Sequence, residues 1–290
     1  MAKPVNFSVV FKKSTESLKK DFVPMIVLAS IFGVAIGLLD YGKNSILFPG
    51  GVMAYGSPEI TANIWVSVAV VIVVNLFALL STVAFMKMGT DMALQRTPSA
   101  TEAIEYSIKN LFSFLWTSIV GTIYGLGWAV IGIIIIPLYV FLVILLPRFT
   151  GTNSFLDLKV VSFTMGLIGV VTIVYGIYRG LKIAFMANAF LQDDKRGIDA
   201  AKSSMAMVEG RWWDVFLVFL GIGIVMWLIN FGVMLVTGLA LMPLLALAPK
   251  VIGTVVTTII SSALTLFGTV LVCNLYNEYK HMGIAGQTHE

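Results

Sequence analysis

The chain is 290 residues long, 58% hydrophobic and only 12% charged, with a formal net charge of +4. A soluble domain carries about 25% charged residues, so there are too few charges here to coat a water-facing surface. The basic excess sits beside apolar blocks and is not interleaved with exposed aromatics, which points to membrane orientation and anionic lipid and away from nucleic acid.

The apolar residues fall in blocks of roughly 20 or more, the length that crosses ~30 Å of hydrocarbon. We therefore expect an all-α polytopic membrane helix bundle forming a single integral membrane domain over 1–290. Residues 5–21 place Phe7, Phe11, Ser14, Leu18 and Phe22 at helical spacing with lysines between them, the pattern of an interfacial helix. The first span is expected at about 22–39 as a true span and not a cleaved signal. Its Gly33 and Gly37 form a GxxxG, which permits close helix approach. Gly121/Gly125 and Gly176/Gly180 repeat that spacing.

A Gly/Pro-rich loop is expected at 40–62, a second span at 64–86 and a second amphipathic helix at 99–110. Leu111 to Leu146 is then uncharged. It is too long for one span and too short for two with a turn. Pro137 should break or kink it, giving a third span at 111–135 followed by a re-entrant, tilted or interfacial piece. Residues 148–159 read as a loop and 160–187 as the fourth span. The third amphipathic helix is expected at 195–210, the fifth span from Trp213 with an interruption at Pro243, and the sixth at 251–276.

Six spans with the N-terminus inside put 15 of the 19 Lys and Arg on the cytoplasmic side and leave Lys43, Arg148, Lys159 and Lys250 outside. Both termini are then cytoplasmic in a cell (plasma) membrane. Aligning Ser14, Ser107 and Ser204 brings three amphipathic helices into register, each running into a span. The offsets are 93 and 97 residues. That suggests a pseudo-threefold repeat of six transmembrane helices and three amphipathic interfacial helices, in units of about 5–96, 97–192 and 193–280.

The segment GIDAAKSSMAMVEGRWWDVF resembles the A…S…V-x-G-x-W…F segment of a broad prokaryotic multi-span group. That group is related to the membrane domain of glycerophosphodiester phosphodiesterases. There a membrane helix ends in a cytoplasmic Asp/Glu-x-x-x-Gly turn before the amphipathic helix, and LQDDKRG, Leu191 to Gly197, is similar. The likeness is specific over about 178–220. It implies a six-span bundle; the group's phosphodiesterase activity belongs to a separate soluble barrel, so no catalytic residue carries over.

The chemistry-bearing residues are sparse. No HExxH, His/Cys cluster, phosphate loop or GxSxG occurs, so no catalytic, cofactor or metal residue is expected. Asp193 and Asp194 are the only adjacent carboxylates; turn and helix capping is the preferred role over a divalent ion, with Asp199 beside them. Arg179 and Lys182 should snorkel to headgroups, or Arg179 should pair with Asp214 or Glu209. Gly210, Arg211, Trp212 and Trp213 mark the membrane interface. Uncharged polar residues (Asn75, Thr122, Tyr124, Thr172, Asn230, Thr257, Thr258, Ser261, Ser262 and Asn274) are expected to bond between helices or to line a solute path. The expected role is a non-enzymatic structural, scaffold or accessory subunit. Its partners would be membrane lipids and other membrane protein subunits. A small-solute transporter or channel is the alternative.

Overall fold

The computed structural model of the chain describes residues 5–47, 59–140, 155–236 and 250–287. Nine helices lie among them: α1 (Phe7–Lys20), α2 (Phe22–Leu47), α3 (Glu59–Ala93), α4 (Ala100–Val140), α5 (Phe155–Lys182), α6 (Met186–Asp193), α7 (Gly197–Val208), α8 (Trp212–Val236) and α9 (Lys250–Gln287). No strand occurs among the described residues. Five stretches are long and apolar enough to cross a membrane: Phe22–Gly42, Val68–Ala93, Gly166–Asp193, Trp212–Leu235 and Val251–Met282. A sixth, Ala100–Gly125 with Gly127–Ile135, passes as a bent pair. The protein is an all-α polytopic membrane bundle.

The expected spans overlap these stretches with shifted ends, 64–86 falling at Val68–Ala93, 111–135 within the bent pair from Ala100 to Ile135, and 160–187 at Gly166–Asp193. The loop expected from residue 40 begins later, because α2 stays helical to Leu47. The second amphipathic helix is no separate element: α4 runs as one helix from Ala100 to Val140. Its 56° bend falls between Gly125 and Gly127, not at Pro137, through which the helix continues. Glycines on both sides of Leu126 remove the side chains that hold successive turns in line. Pro243, with 237–249, lies outside the described residues, as do 141–154.

The chain clusters into two compact units, Met1–Phe112 with Leu217–Glu290 and Ser113–Phe216. In the first, α2, α3 and α9 pack on one another. A Cβ built on Gly33 would lie 2.6 Å from Ile259 Cα, and one on Gly37 would lie 3.0 Å from Val255 Cα. The first GxxxG therefore is a backbone-to-backbone contact of α2 with α9. Around it Met25, Leu28, Phe32, Phe85, Met88, Met92, Leu266 and Val270 form a buried apolar core, with Phe32 and Phe85 edge to face at 5.7 Å.

In the second unit α4 and α5 approach through the other glycines. A Cβ on Gly176 would overlap the Ala129 backbone, and one on Gly132 would come 2.8 Å from Ile173 Cγ1. Gly121 faces Met186 Sδ, 2.8 Å from a built Cβ, and Gly125 faces Ile183.

Candidate functional site

Polar side chains with partners across the chain gather at three joints, each where a short helix meets the end of a membrane helix. The first is built on α1. Asn6 caps it, its side chain accepting from Ser8 N at 3.1 Å, and it buries Val10 and Ser14. Asn274 on α9, itself buried, donates its Nδ2 to Ser14 Oγ at 2.9 Å and to Val270 O at 3.1 Å. Ser14 in turn donates to Val10 O at 2.9 Å. Lys13 pairs with Glu278 on the next turn of α9.

The second joint is the start of α4 against the end of α3. The backbone leaves α3 through Gln95, at φ +56°, with Arg96 N donating to Asp91 O at 2.8 Å. Ser99 Oγ accepts weakly from Glu102 N at 3.4 Å. Ala103 joins the core of Met88 and Met92, and Ser107 is fully buried. Lys87 Nζ lies 2.6 Å from both oxygens of Asp91 and 5.9 Å from the Tyr106 ring centroid. Asp91 is only 3% exposed. This buried pair lies past the second span expected at 64–86, within the same helix α3. Its signal is the i, i+4 spacing of opposite charges.

The third joint packs α7 on α5 and α6. Between Lys182 and Met186 the chain makes three-residue-type bonds, Ile183 N to Gly180 O and Ala184 N to Leu181 O, each 3.2 Å. Such a step strands a carbonyl and an amide of the regular ladder. Ser204 satisfies both: its hydroxyl donates to Lys182 O at 2.8 Å and accepts from Phe185 N at 3.1 Å. A side chain inserted into the ladder is a known cause of a helix break. The chain then turns through Asp194, at φ +51°, into α7. Gly197, at φ +52°, donates its buried N–H to Thr117 Oγ1 at 3.0 Å.

The residues singled out by sequence divide clearly. Asp193 ends α6 and Asp194 is its left-handed C-cap, so the carboxylates terminate one helix and cap no N-terminus. Asp194, with an 84% exposed side chain, meets Arg196 at 3.5 Å. Asp199 sits in the first turn of α7, favourable to the helix dipole, and is exposed. Arg179 does not pair with Asp214 or Glu209 among the described residues. Its Nε donates to Tyr124 O at 3.4 Å instead, because α5 packs on α4 through glycines and brings that carbonyl within reach. Lys182 Nζ lies 4.9 Å over the Tyr178 ring.

Gly210 takes φ +73° and Arg211 N donates to Val208 O at 3.0 Å, a tight turn into α8. Trp212 stacks on Trp213 at 4.0 Å and meets Tyr178 edge to face at 5.5 Å. Asp214 lies in the first turn of α8. The described His, Cys, Asp and Glu residues make no group that could hold a metal ion.

The expectation of interhelical bonding for the uncharged polar residues needs correction. Asn75 donates to Val71 O, Thr122 to Ser118 O, Thr172 to Ile168 O, Thr257 to Gly253 O and Thr258 to Thr254 O. All five bond four residues back in their own helix, the local option always open to a short polar side chain. Asn274 of that set does reach another helix through its side chain, at Ser14.

Cavities with polar side chains in their walls occur among the described residues. One, of about 530 Å³, lies among α1, the end of α3 and the end of α9; its walls include Lys13, Glu16, Lys20, Asp21, Gln95, Asn274, Glu278 and His281. It carries both charge signs. Another, about 180 Å³, lies between α8 and α9 and is lined by Asn230, Thr257, Ser261 and apolar neighbours. No family model, no curated protein and no solved structure matches the chain.

Proposed function

We propose that the protein is a non-enzymatic scaffold or accessory subunit of a membrane assembly. The carrying observation is the separation of its two environments. The α2–α3–α9 core is filled with Met, Leu, Phe and Val side chains, while the mixed-charge cleft gathers at one end of those helices. A dry core suits a rigid support. A cleft with both charge signs suits a polar segment of a partner protein. Asp194 and Asp199 are exposed and converge on no concave site, which supports a non-enzymatic reading.

In this reading three units of about 5–96, 97–192 and 193–280 repeat an interfacial helix and a returning pair of spans. α1, the first turns of α4 and α7 form a cytoplasmic collar against lipid headgroups, and both termini face the cytoplasm of a plasma membrane. The turns at Gln95 and Asp194, both left-handed, and the buried Ser14, Ser107 and Ser204 support that correspondence. The segment 178–220, by its likeness, fits the same group of multi-span domains.

Affinity capture of the full chain from its native membranes is the test. Stoichiometric co-purification of another membrane subunit, lost on adding Lys13→Glu and Lys20→Glu in the cleft, is expected. A monomer that carries nothing and moves a solute into liposomes would overturn the proposal in favour of a transporter. That alternative draws on the cavity between α8 and α9 lined by Asn230, Thr257 and Ser261.

A further inference from the structure

Along α5 an apolar groove of about 300 Å³ is lined by Trp128, Leu167, Ile168, Val171, Thr172 and Tyr175. The Thr172 hydroxyl is spent on Ile168 O of its own helix, and the other polar atoms among these side chains are the Tyr175 phenol and the Trp128 indole N–H. The groove walls are otherwise apolar. Trp128 and Tyr175 close one end, edge to face at 5.6 Å and 82°. One turn further on, Tyr178 lies 6.2 Å from Tyr175, with Lys182 Nζ above its ring and Arg179 beside it in sequence. Only Nε of Arg179 has a hydrogen-bond partner among the described residues. The terminal guanidinium nitrogens keep their donors.

The spacing matches a lipid molecule. Leu167 to Arg179 is twelve residues, about 18 Å of helix, and one leaflet of a ~30 Å hydrocarbon core is about 15 Å thick. A groove with apolar walls therefore runs about one leaflet's depth and ends at two cations among aromatic rings. Guanidinium and ammonium groups at that level prefer an oxyanion, and a planar guanidinium binds phosphate with two parallel hydrogen bonds. Val171, Val174 and Ile177 on the same helix are each more than half exposed, so the groove faces hydrocarbon.

We propose that this face of α5 holds one anionic phospholipid, its acyl chain in the Leu167–Tyr175 groove and its phosphate on Arg179 and Lys182. Charge complementarity selects a bilayer lipid over a second protein chain: a transmembrane helix would fill the groove but leave both cations unmatched.

The test uses the full chain purified in mild detergent, titrated with phosphatidylglycerol or phosphatidylcholine of identical acyl chains and read by native mass spectrometry. One equivalent of phosphatidylglycerol should be retained roughly tenfold more tightly than phosphatidylcholine, whose choline ammonium offsets its phosphate and is repelled by the two cations. The R179Q/K182Q double variant should abolish that preference. Val171→Trp, which fills the groove from an exposed position, should weaken both lipids together. Thermal melting confirms that each variant is folded. Should the double variant prove unfolded, Lys182→Gln alone must still reduce the preference. Equal retention of the two lipids in the wild-type chain would mean non-selective boundary lipid and overturns the proposal. So does a dimer that Val171→Trp dissociates while lipid retention is unchanged.

Discussion

Replacing Gly33 by alanine tests the central packing claim. The Cβ would lie 2.6 Å from Ile259 Cα, 2.8 Å from Ile259 Cγ1 and 2.9 Å from Ile259 N. Two of these are backbone atoms that no rotamer change can move. Carbon atoms rest at about 3.5–4.0 Å, so α2 must back away from α9 by about 1 Å, and a gap of that size forfeits a quarter to a half of each contact's well depth. At ~0.1–0.2 kcal/mol per atom pair, some twenty loosened pairs amount to roughly 1–2 kcal/mol. Overpacked cores show losses of about 1–3 kcal/mol. Against this stands alanine's better helix propensity, worth up to about 1 kcal/mol. The net expectation is a loss of about 1 kcal/mol, rising to about 3 kcal/mol for Gly33→Val. Gly42, on the same helix with nothing within 4 Å of a built Cβ, is the control, and Gly42→Ala should be neutral or stabilising. Unfolding in mixed detergent micelles, followed by circular dichroism, reads all three. Equal midpoints for Gly33→Ala and Gly42→Ala would refute the close approach of α2 and α9.

Ser204→Val should destabilise by about 1–3 kcal/mol, because it leaves Phe185 N and Lys182 O buried and unpaired; hydrogen exchange at residues 183–186 should accelerate with it. Gly197→Ala and Gly210→Ala both put a side chain at positive φ, costing about 1–2 kcal/mol, but only Gly197 has a neighbour, Trp116 Nε1 at 3.3 Å from a built Cβ. Gly197→Ala should therefore lower the melting temperature more than Gly210→Ala, and the reverse order would contradict the turn geometry. Asp91→Ala should cost about 3 kcal/mol by stranding Lys87 at its buried end, while the double variant Lys87→Met, Asp91→Leu should recover most of that loss in the same unfolding assay.

The spans were readable because their signal is long and one-dimensional: a run of apolar residues is set by bilayer thickness, whatever packs on it. The glycine seams were readable too, since a spacing of four on an apolar helix leaves few other uses. The joints were not. Ser14, Ser107 and Ser204 could be aligned by eye. Yet their burial depends on Asn274, which is 260 residues from Ser14, and on a local helix break at 183–185 that no residue type announces. For Arg179, charge offered headgroups or, as the alternative, an acidic partner. A carbonyl on α4 reached it first, because Gly176 lets the two helices touch, and backbone acceptors are invisible to a search for opposite charges. Pro137 misled for the opposite reason: two glycines twelve and ten residues earlier offered an easier place to bend.

The three joints together imply an order that a linear reading hides. The start of α4 docks on the end of α3, the membrane helix just before it, and α7 docks on α5 and α6, just before it. α1 has no preceding helix among the described residues and docks instead on the end of α9, the last. A helical segment seated on the end of a returning span occurs at all three places. At the first the two partners, Ser14 and Asn274, lie 260 residues apart. Ser14 and Asn274 tie α1 to α9 across that distance, beside the short link at Asp21 that joins α1 to α2. Loss of that hydrogen bond, worth about 1 kcal/mol, should loosen α1 from α9. Asn274→Leu should release α1 to proteolysis at Lys12–Lys20 while leaving the helical content of the spans unchanged. Simultaneous loss of the α2–α3–α9 packing would show instead that Asn274 supports the core and not the joint.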